Sequence, residues 1–236
     1  MICLQAAIGA ANDLIDGPRD RGHKPGKPIP AGLVAPTEAR TVAIVAAIAG
    51  LALSVPSGPP TTALAALILA IGLLYDLRLR GTAWSWLPFA LGIPLLPVFA
   101  WLGGTGRLPG PLPILLPAGF AAGAALAIAN ALVDVERDRS AGSSSVVDRL
   151  GVASAWAVHA VLQALVVAVA LASLAGAGAA LVALAVSLAG ALGIVGGVML
   201  ARSARPPGRE RGWELEAVGV AVLAVGWLLG IAPLAG

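Results

Sequence analysis

The sequence predicts an all-α fold, a polytopic transmembrane helical bundle of about eight membrane segments. Three observations carry that expectation. Of 236 residues, 58% are apolar and only 11% charged, with a mean hydropathy of +0.92, far from the composition of a water-soluble domain. The apolar residues fall in stretches of the length, about 20 residues, that a helix needs to cross roughly 30 Å of hydrocarbon. The charges are sorted onto alternate connections.

Seven stretches fit a span: 38–56, 61–76, 84–102, 113–133, 151–174, 177–201 and 213–234. An eighth, 1–13, is apolar and short. It has no basic residues ahead of its apolar run, unlike a secretory signal peptide, and is expected to be the inner end of a helix. The connections 57–60 and 175–176 carry no charge and 103–112 carries only Arg107. The other connections, with Arg40 in the first turn of 38–56, hold the remaining fourteen Lys and Arg, and all twelve acidic residues fall on that side too, at 13–38, 76, 134–148 and 210–216. The positive-inside rule makes this face cytoplasmic. The longest polar stretch is Asp16–Thr37, too short for a soluble domain, so residues 1–236 are expected to be a single integral membrane domain. The midplane regions of the spans hold no charged residue in this reading.

Two short acidic boxes interrupt the apolar pattern, Asn12–Asp20 (NDLIDGPRD) and Asn130–Asp138 (NALVDVERD), both with the spacing N-x-x-x-D-x-x-x-D. Each precedes a glycine-containing polar loop and three apolar helices, a weak internal repeat. Such an order suggests two half-bundles with both boxes at the mouth of a shared central cavity, capped on the cytoplasmic face. The pair Gly119 and Gly123, four apart, fits close helix packing. Cys3 is the only cysteine, which excludes an intramolecular disulfide and a Cys-rich metal site.

Asn130, Asp134 and Asp138 are four apart and share one helix face, and Asp13, Asp16 and Asp20 are three and four apart. Pro18 is expected to bend or end the first helix near residue 17 and to leave Asp20 on a loop. Oxygen ligands without His or Cys suit Mg²⁺, and two clusters suggest two ions. The metal ligands are therefore expected to be Asp13, Asp16, Asp20, Asp134 and Asp138. Lys24, Lys27, Arg78, Arg80, Arg137 and Arg139 stand beside them, the cations that a diphosphate requires. His23 is expected on a loop and His159 inside a helix. Trp84, Trp86, Trp101 and Trp213 lie near helix ends, where the aromatic belt is the default role. The glycine-containing runs lack the spacing of a phosphate-binding loop, and no nucleic acid partner is expected.

The pattern Asn12-Asp13-x-x-Asp16-x-x-x-Asp20, followed by Lys24-Pro25-x-Lys27-Pro28-Ile29-Pro30-x-Gly32, resembles the first signature of the UbiA-type intramembrane prenyltransferases. The second signature is matched by Asn130-x-x-x-Asp134-x-x-x-Asp138-Arg139-x-x-Gly142, ending in Arg149-Leu150-Gly151, and Tyr75 with Arg78 and Arg80 looks like the intermediate Tyr and basic segment. The resemblance covers essentially the whole chain. It implies a nine-helix bundle, here lacking the first helix, with Mg²⁺-dependent transfer of a prenyl group from an isoprenyl diphosphate to an aromatic or other lipophilic acceptor in the membrane. On that resemblance Asn12, Lys24, Lys27, Tyr75, Arg78, Asn130 and Arg139 bind the diphosphate and the five aspartates are catalytic. The partners it implies are the two substrates and membrane lipid, with protein partners unspecified. Where the family carries Lys and Thr after the glycine, this chain has Ser143-Ser144-Ser145. Two other readings are an ion-coupled membrane transporter and a catalytically impaired relative with a scaffold role.

Overall fold

The computed structural model describes residues 1–20, 26–140, 142, 144–174, 180–203 and 205–231. Among these, regular structure is entirely helical. The long helices are α1 (Ile2–Asp20), α2 (Pro36–Ser54), α3 (Pro59–Leu74), α4 (Leu87–Thr105) and α5 (Leu112–Val133). Two short helices, α6 (Val135–Ser140) and α7 (Val146–Leu150), precede α8 (Val152–Leu174), α9 (Ala180–Arg202) and α10 (Pro206–Ile231). Among the described residues seven helices are long and apolar enough to cross a membrane, α1 not among them. Large apolar side chains such as Ile48, Leu53, Val161 and Ile194 are exposed, the inverse of a soluble protein and the expected face toward lipid.

Local chemistry sets the ends. Proline opens α2 and α3, where a missing N–H costs nothing. Glu38 accepts the Ala35 N–H at 2.8 Å at the start of α2. Gly58 turns into α3 with φ +94°, a conformation that glycine adopts without a Cβ clash.

Contacts divide the chain into two compact units, residues 1–80 with 98–108 and residues 81–97 with 109–236. In the first, Leu4 and Ala7 of α1 form a core with Ala65 and Leu69 of α3. Gly72 of α3 faces Ile8, and a Cβ there would stand 2.5 Å from its Cδ1, while one at Gly50 of α2 would stand 2.6 Å from Leu4 Cδ2. Small residues thus let α1 lie close against two neighbours and fix the direction of its carboxyl-terminal end.

In the second unit α5 is the most enclosed span. Gly119 and Gly123 abut Pro94 and the Phe89 backbone of the α4 amino-terminal half, the packing role expected of that pair. The helices α9 and α10 cross with backbone nearly touching backbone, since a Cβ on Gly212 would lie 2.7 Å from the Gly196 carbonyl oxygen.

Two expectations about helix ends are corrected. The first helix continues through Gly17 and Pro18 to Asp20. Pro18 forfeits only its own bond to the Leu14 carbonyl, and it does so in the last turn. There Gly17 lets Ile29 settle against the helix, a Cβ at Gly17 falling 3.1 Å from Ile29 Cγ2. The second box is not one continuous helix. Asp134 sits between α5 and α6 with φ −101° and ψ 7°, flanked by Val133 and Val135, whose branched side chains favour helix least among the apolar residues.

Candidate active site

The first unit brings most of its expected site residues together. Lys27 Nζ donates to Asp13 at 3.0 Å, to Asp20 at 2.8 Å and to Asp16 at 3.3 Å. One helix face has therefore presented all three carboxylates to a single cation. The Lys27 loop is held for this by backbone bonds from Ala31 to the Lys27 carbonyl (2.9 Å) and from Leu33 to that of Pro28 (2.9 Å), with Gly32 at φ +73°. Burial works against the Lys27 charge, but hydrogen bonds to Asp20 and Asp13 and the nearby charge of Asp16 outweigh it, holding its pKa above the ordinary 10.5. Asp16 is almost fully buried and also receives the Arg80 guanidinium.

Arg80 reaches Asp16 because α3 does not end as an α-helix. Residues Tyr75–Leu79 form one π turn, closed by the Arg80 N–H on the Tyr75 carbonyl at 2.9 Å, a feature that recurs at functional sites. The guanidinium lies over the Tyr75 ring, 5.9 Å from its centroid. Arg78, which the sequence reading assigned to the diphosphate, is exposed on the same turn, so Arg80 takes the inward position. Asn12 donates to Asp76 Oδ1 at 2.9 Å. Asp76 is 5% exposed and its Oδ2 has no partner among the described residues. Sequence reasoning counted Asp76 only as a charge; a carboxylate directly after Tyr75 at the end of an apolar helix was the available signal. Lys24 and His23 lie outside the described residues.

In the second unit Asn130 is half-buried within the otherwise buried carboxyl-terminal part of α5, and Asp134 and Asp138 are half-buried. The Asp138 N–H donates to the Asp134 carbonyl at 2.8 Å, so the four-residue spacing survives the break. Arg139 Nε is directed to Asp148 Oδ1 at 2.9 Å. Asp148 also accepts the N–H and hydroxyl of Ser145 at the start of α7. Ser145 thus stands at the N-cap of α7, its N–H and hydroxyl both bound to Asp148. The Arg139 hydrogen bond, outweighing a small burial effect and joined by the Ser145 bonds, holds the Asp148 pKa below 3.8. Trp213 donates its indole N–H to the Leu126 carbonyl at 3.0 Å.

A feature not expected lies deeper in this unit. His159 of α8 and Glu216 of α10 are both buried and paired, Nε2 to Oε1 at 3.1 Å, and His159 Nδ1 meets the Ala125 carbonyl at 3.0 Å. The sequence groups Glu216 with the charged run 210–216 at the start of the span 213–234; it lies about three turns inside α10.

Among the described residues no three carboxylate, imidazole or thiol groups form a ready-made metal cage. The first box is nonetheless suited to a hard cation, because its carboxylates already converge on a positive charge. Mg²⁺ usually takes one or two carboxylates and fills its other positions with water and phosphate oxygens.

The UbiA prenyltransferase family model matches residues 1–214. Among solved structures, a UbiA homolog from Aeropyrum pernix K1 is 20% identical with a TM-score of 0.76, covering 98% of this chain and 86% of that one. A structure described for digeranylgeranylglyceryl phosphate synthase in membranes is 18% identical with a TM-score of 0.68, covering 97% and 81%. A UbiA homolog from Archaeoglobus fulgidus bound to GPP and Mg²⁺ is 19% identical with a TM-score of 0.66, covering 94% and 84%. Comparison with curated proteins gave no match. The likeness in fold, the seven apolar spans and the family match over nine-tenths of the sequence lead to one conclusion: the chain is a multi-pass integral membrane protein and belongs to the UbiA prenyltransferase family.

Proposed function

We propose that this chain transfers a prenyl group from an isoprenyl diphosphate to a lipophilic acceptor within the membrane, with its acidic boxes on the cytoplasmic face. The convergence of Asp13, Asp16 and Asp20 on the Lys27 ammonium, with Arg80 held over Tyr75, is the observation that supports it. Relatives of the same fold from Archaeoglobus fulgidus are bound to GPP or DMAPP with Mg²⁺, and the same donor class fits these side chains. Asp13, Asp16 and Asp20 in one unit and Asp134 and Asp138 in the other would hold Mg²⁺, which supplies charge neutralisation of the diphosphate.

The chain's own groups have distinct tasks. Lys27 and Arg80 are donors of charge-assisted hydrogen bonds to phosphate oxygens. Asn12, Tyr75, Arg78, Asn130, Arg139 and Lys24 complete the proposed diphosphate set. When the allylic C–O bond breaks, the diphosphate leaves with the electron pair, and cations fixed beside it stabilise charge that grows in the transition state. The prenyl carbon then bonds to a nucleophilic atom of the acceptor, which loses its proton. Apolar helix walls exclude the water that would otherwise capture the prenyl group.

Membranes carrying the protein are incubated with labelled prenyl diphosphates and a panel of acceptors, with Mg²⁺ and with chelator. Transfer is expected only with the metal, and Asp16→Ala is expected to lose about 10²-fold or more of the rate, the scale of removing one preorganised electrostatic group. Transfer by a folded Asp16→Ala protein at the unaltered rate would overturn the assignment.

A further inference from the structure

A cavity of about 610 Å³ lies between α8, α9 and α10, within the range that holds a drug-sized ligand. Its wall is almost wholly apolar. On α8 it is lined by Trp156, His159 and Gln163, on α9 by Gly190 and Gly193, and on α10 by Glu216. The space exists because the α9 face is bare: a Cβ at Gly190 or Gly193 would meet nothing within 4 Å. None of the residues of either acidic box lines it.

One polar group in this wall lacks what it needs. Glu216 is 2% exposed, and its Oε2 has no partner among the described residues. A carboxyl group inside a membrane span is costly and is expected to serve a ligand or a proton path.

The pairing also fixes the polarity of the vacancy. His159 Nδ1 faces a carbonyl oxygen and must carry a proton. The remaining proton lies between Nε2 and Oε1. Whether it resides on the imidazole or on the carboxyl, Oε2 is left as an acceptor. The missing partner is therefore a donor.

We propose that this cavity binds a lipid-soluble phenol, its hydroxyl donating to Glu216 Oε2 and its apolar tail lying along the Ala- and Gly-rich wall. A phenolic hydroxyl is the stronger donor beside an alcohol, and its ring suits the aromatic side of the site, where Trp156 stands edge-on to His159 at 5.7 Å. The proposal stands apart from prenyl transfer and needs neither metal nor diphosphate.

The test uses the full chain in detergent micelles, with 4-nonylphenol, nonylbenzene and 1-dodecanol as probes and native mass spectrometry as the readout. The unaltered protein is expected to retain 4-nonylphenol at least tenfold more tightly than either of the others. Glu216→Leu, which removes both carboxyl oxygens, is expected to abolish that preference. Gly193→Leu is expected to lose retention while melting as the unaltered protein does, with Gly190→Leu as a second filling variant should the first not fold. Equal retention of nonylbenzene would mean that an unselective lipid tail fills the space and would overturn the proposal. Equal retention of dodecanol, or undiminished binding by a folded filling variant, would overturn it too.

Discussion

Lys27 is the residue on which the first box closes. Replacing it with Met leaves Asp13, Asp16 and Asp20 facing one another, and like charges a few ångströms apart repel by several kcal/mol at an effective dielectric near 20. The Lys27→Met protein is expected to melt lower than the unaltered one without divalent cation and to gain more from added Mg²⁺. A smaller gain would contradict a shared carboxylate station. Because the folded state raises the Lys27 pKa, its contribution is complete below 10.5 and fades as pH climbs through the folded value. Melting curves above pH 10.5 should accordingly converge for the two proteins. Asp13, Asp16 and Asp20 could be read from spacing alone. That Arg80 and not Arg78 turns inward could not, because an α-helical count through 75–80 places the two differently from the π turn that forms.

That π turn is the element on which the second cation depends. Inserting one alanine after Leu77, an exposed residue, lengthens the turn by one residue and rotates Arg80 by about 100° away from Asp16. The insertion and Arg80→Ala should each lower transfer, and their combination should do little more than either, since both remove one contact. Additive losses would show that the turn has some other role. The close seat of α1 is a second element-scale test: Gly72→Val should cost about 1–3 kcal/mol through collision with Ile8, read as a lower melting temperature. The helices themselves were legible from apolar run length, since lipid demands it. The ends were not. Whether Pro18 stops a helix depends on Ile29 and Lys27, residues beyond the helix, and the break at Asp134 leaves no proline or glycine as a mark.

At the scale of the molecule, charge is sorted by connection, and this predicts topology. With Cys3→Ser as background, Ser57→Cys should react with a membrane-impermeant maleimide in intact cells, while Ser144→Cys should react only after permeabilisation. The reverse pattern would invert the proposed cytoplasmic face. Family and fold class were legible because box spacing and hydropathy are local properties. Glu216 was hidden by the same logic. It follows Arg209, Glu210, Arg211 and Glu214 in a charged run, and only the three-dimensional approach of α8 and α5 shows that it is buried with His159.

The network around Asp16 has one further consequence, in the order of events. Counting formal charges, Asp13, Asp16, Asp20 and Asp76 give −4, Lys27 and Arg80 give +2, and the sum is −2. A bare diphosphate approaching this patch meets net repulsion, whereas one already complexed with a divalent ion carries two fewer negative charges and meets much less. Initial rates should therefore follow the concentration of the complexed donor, with uncomplexed diphosphate a weak inhibitor.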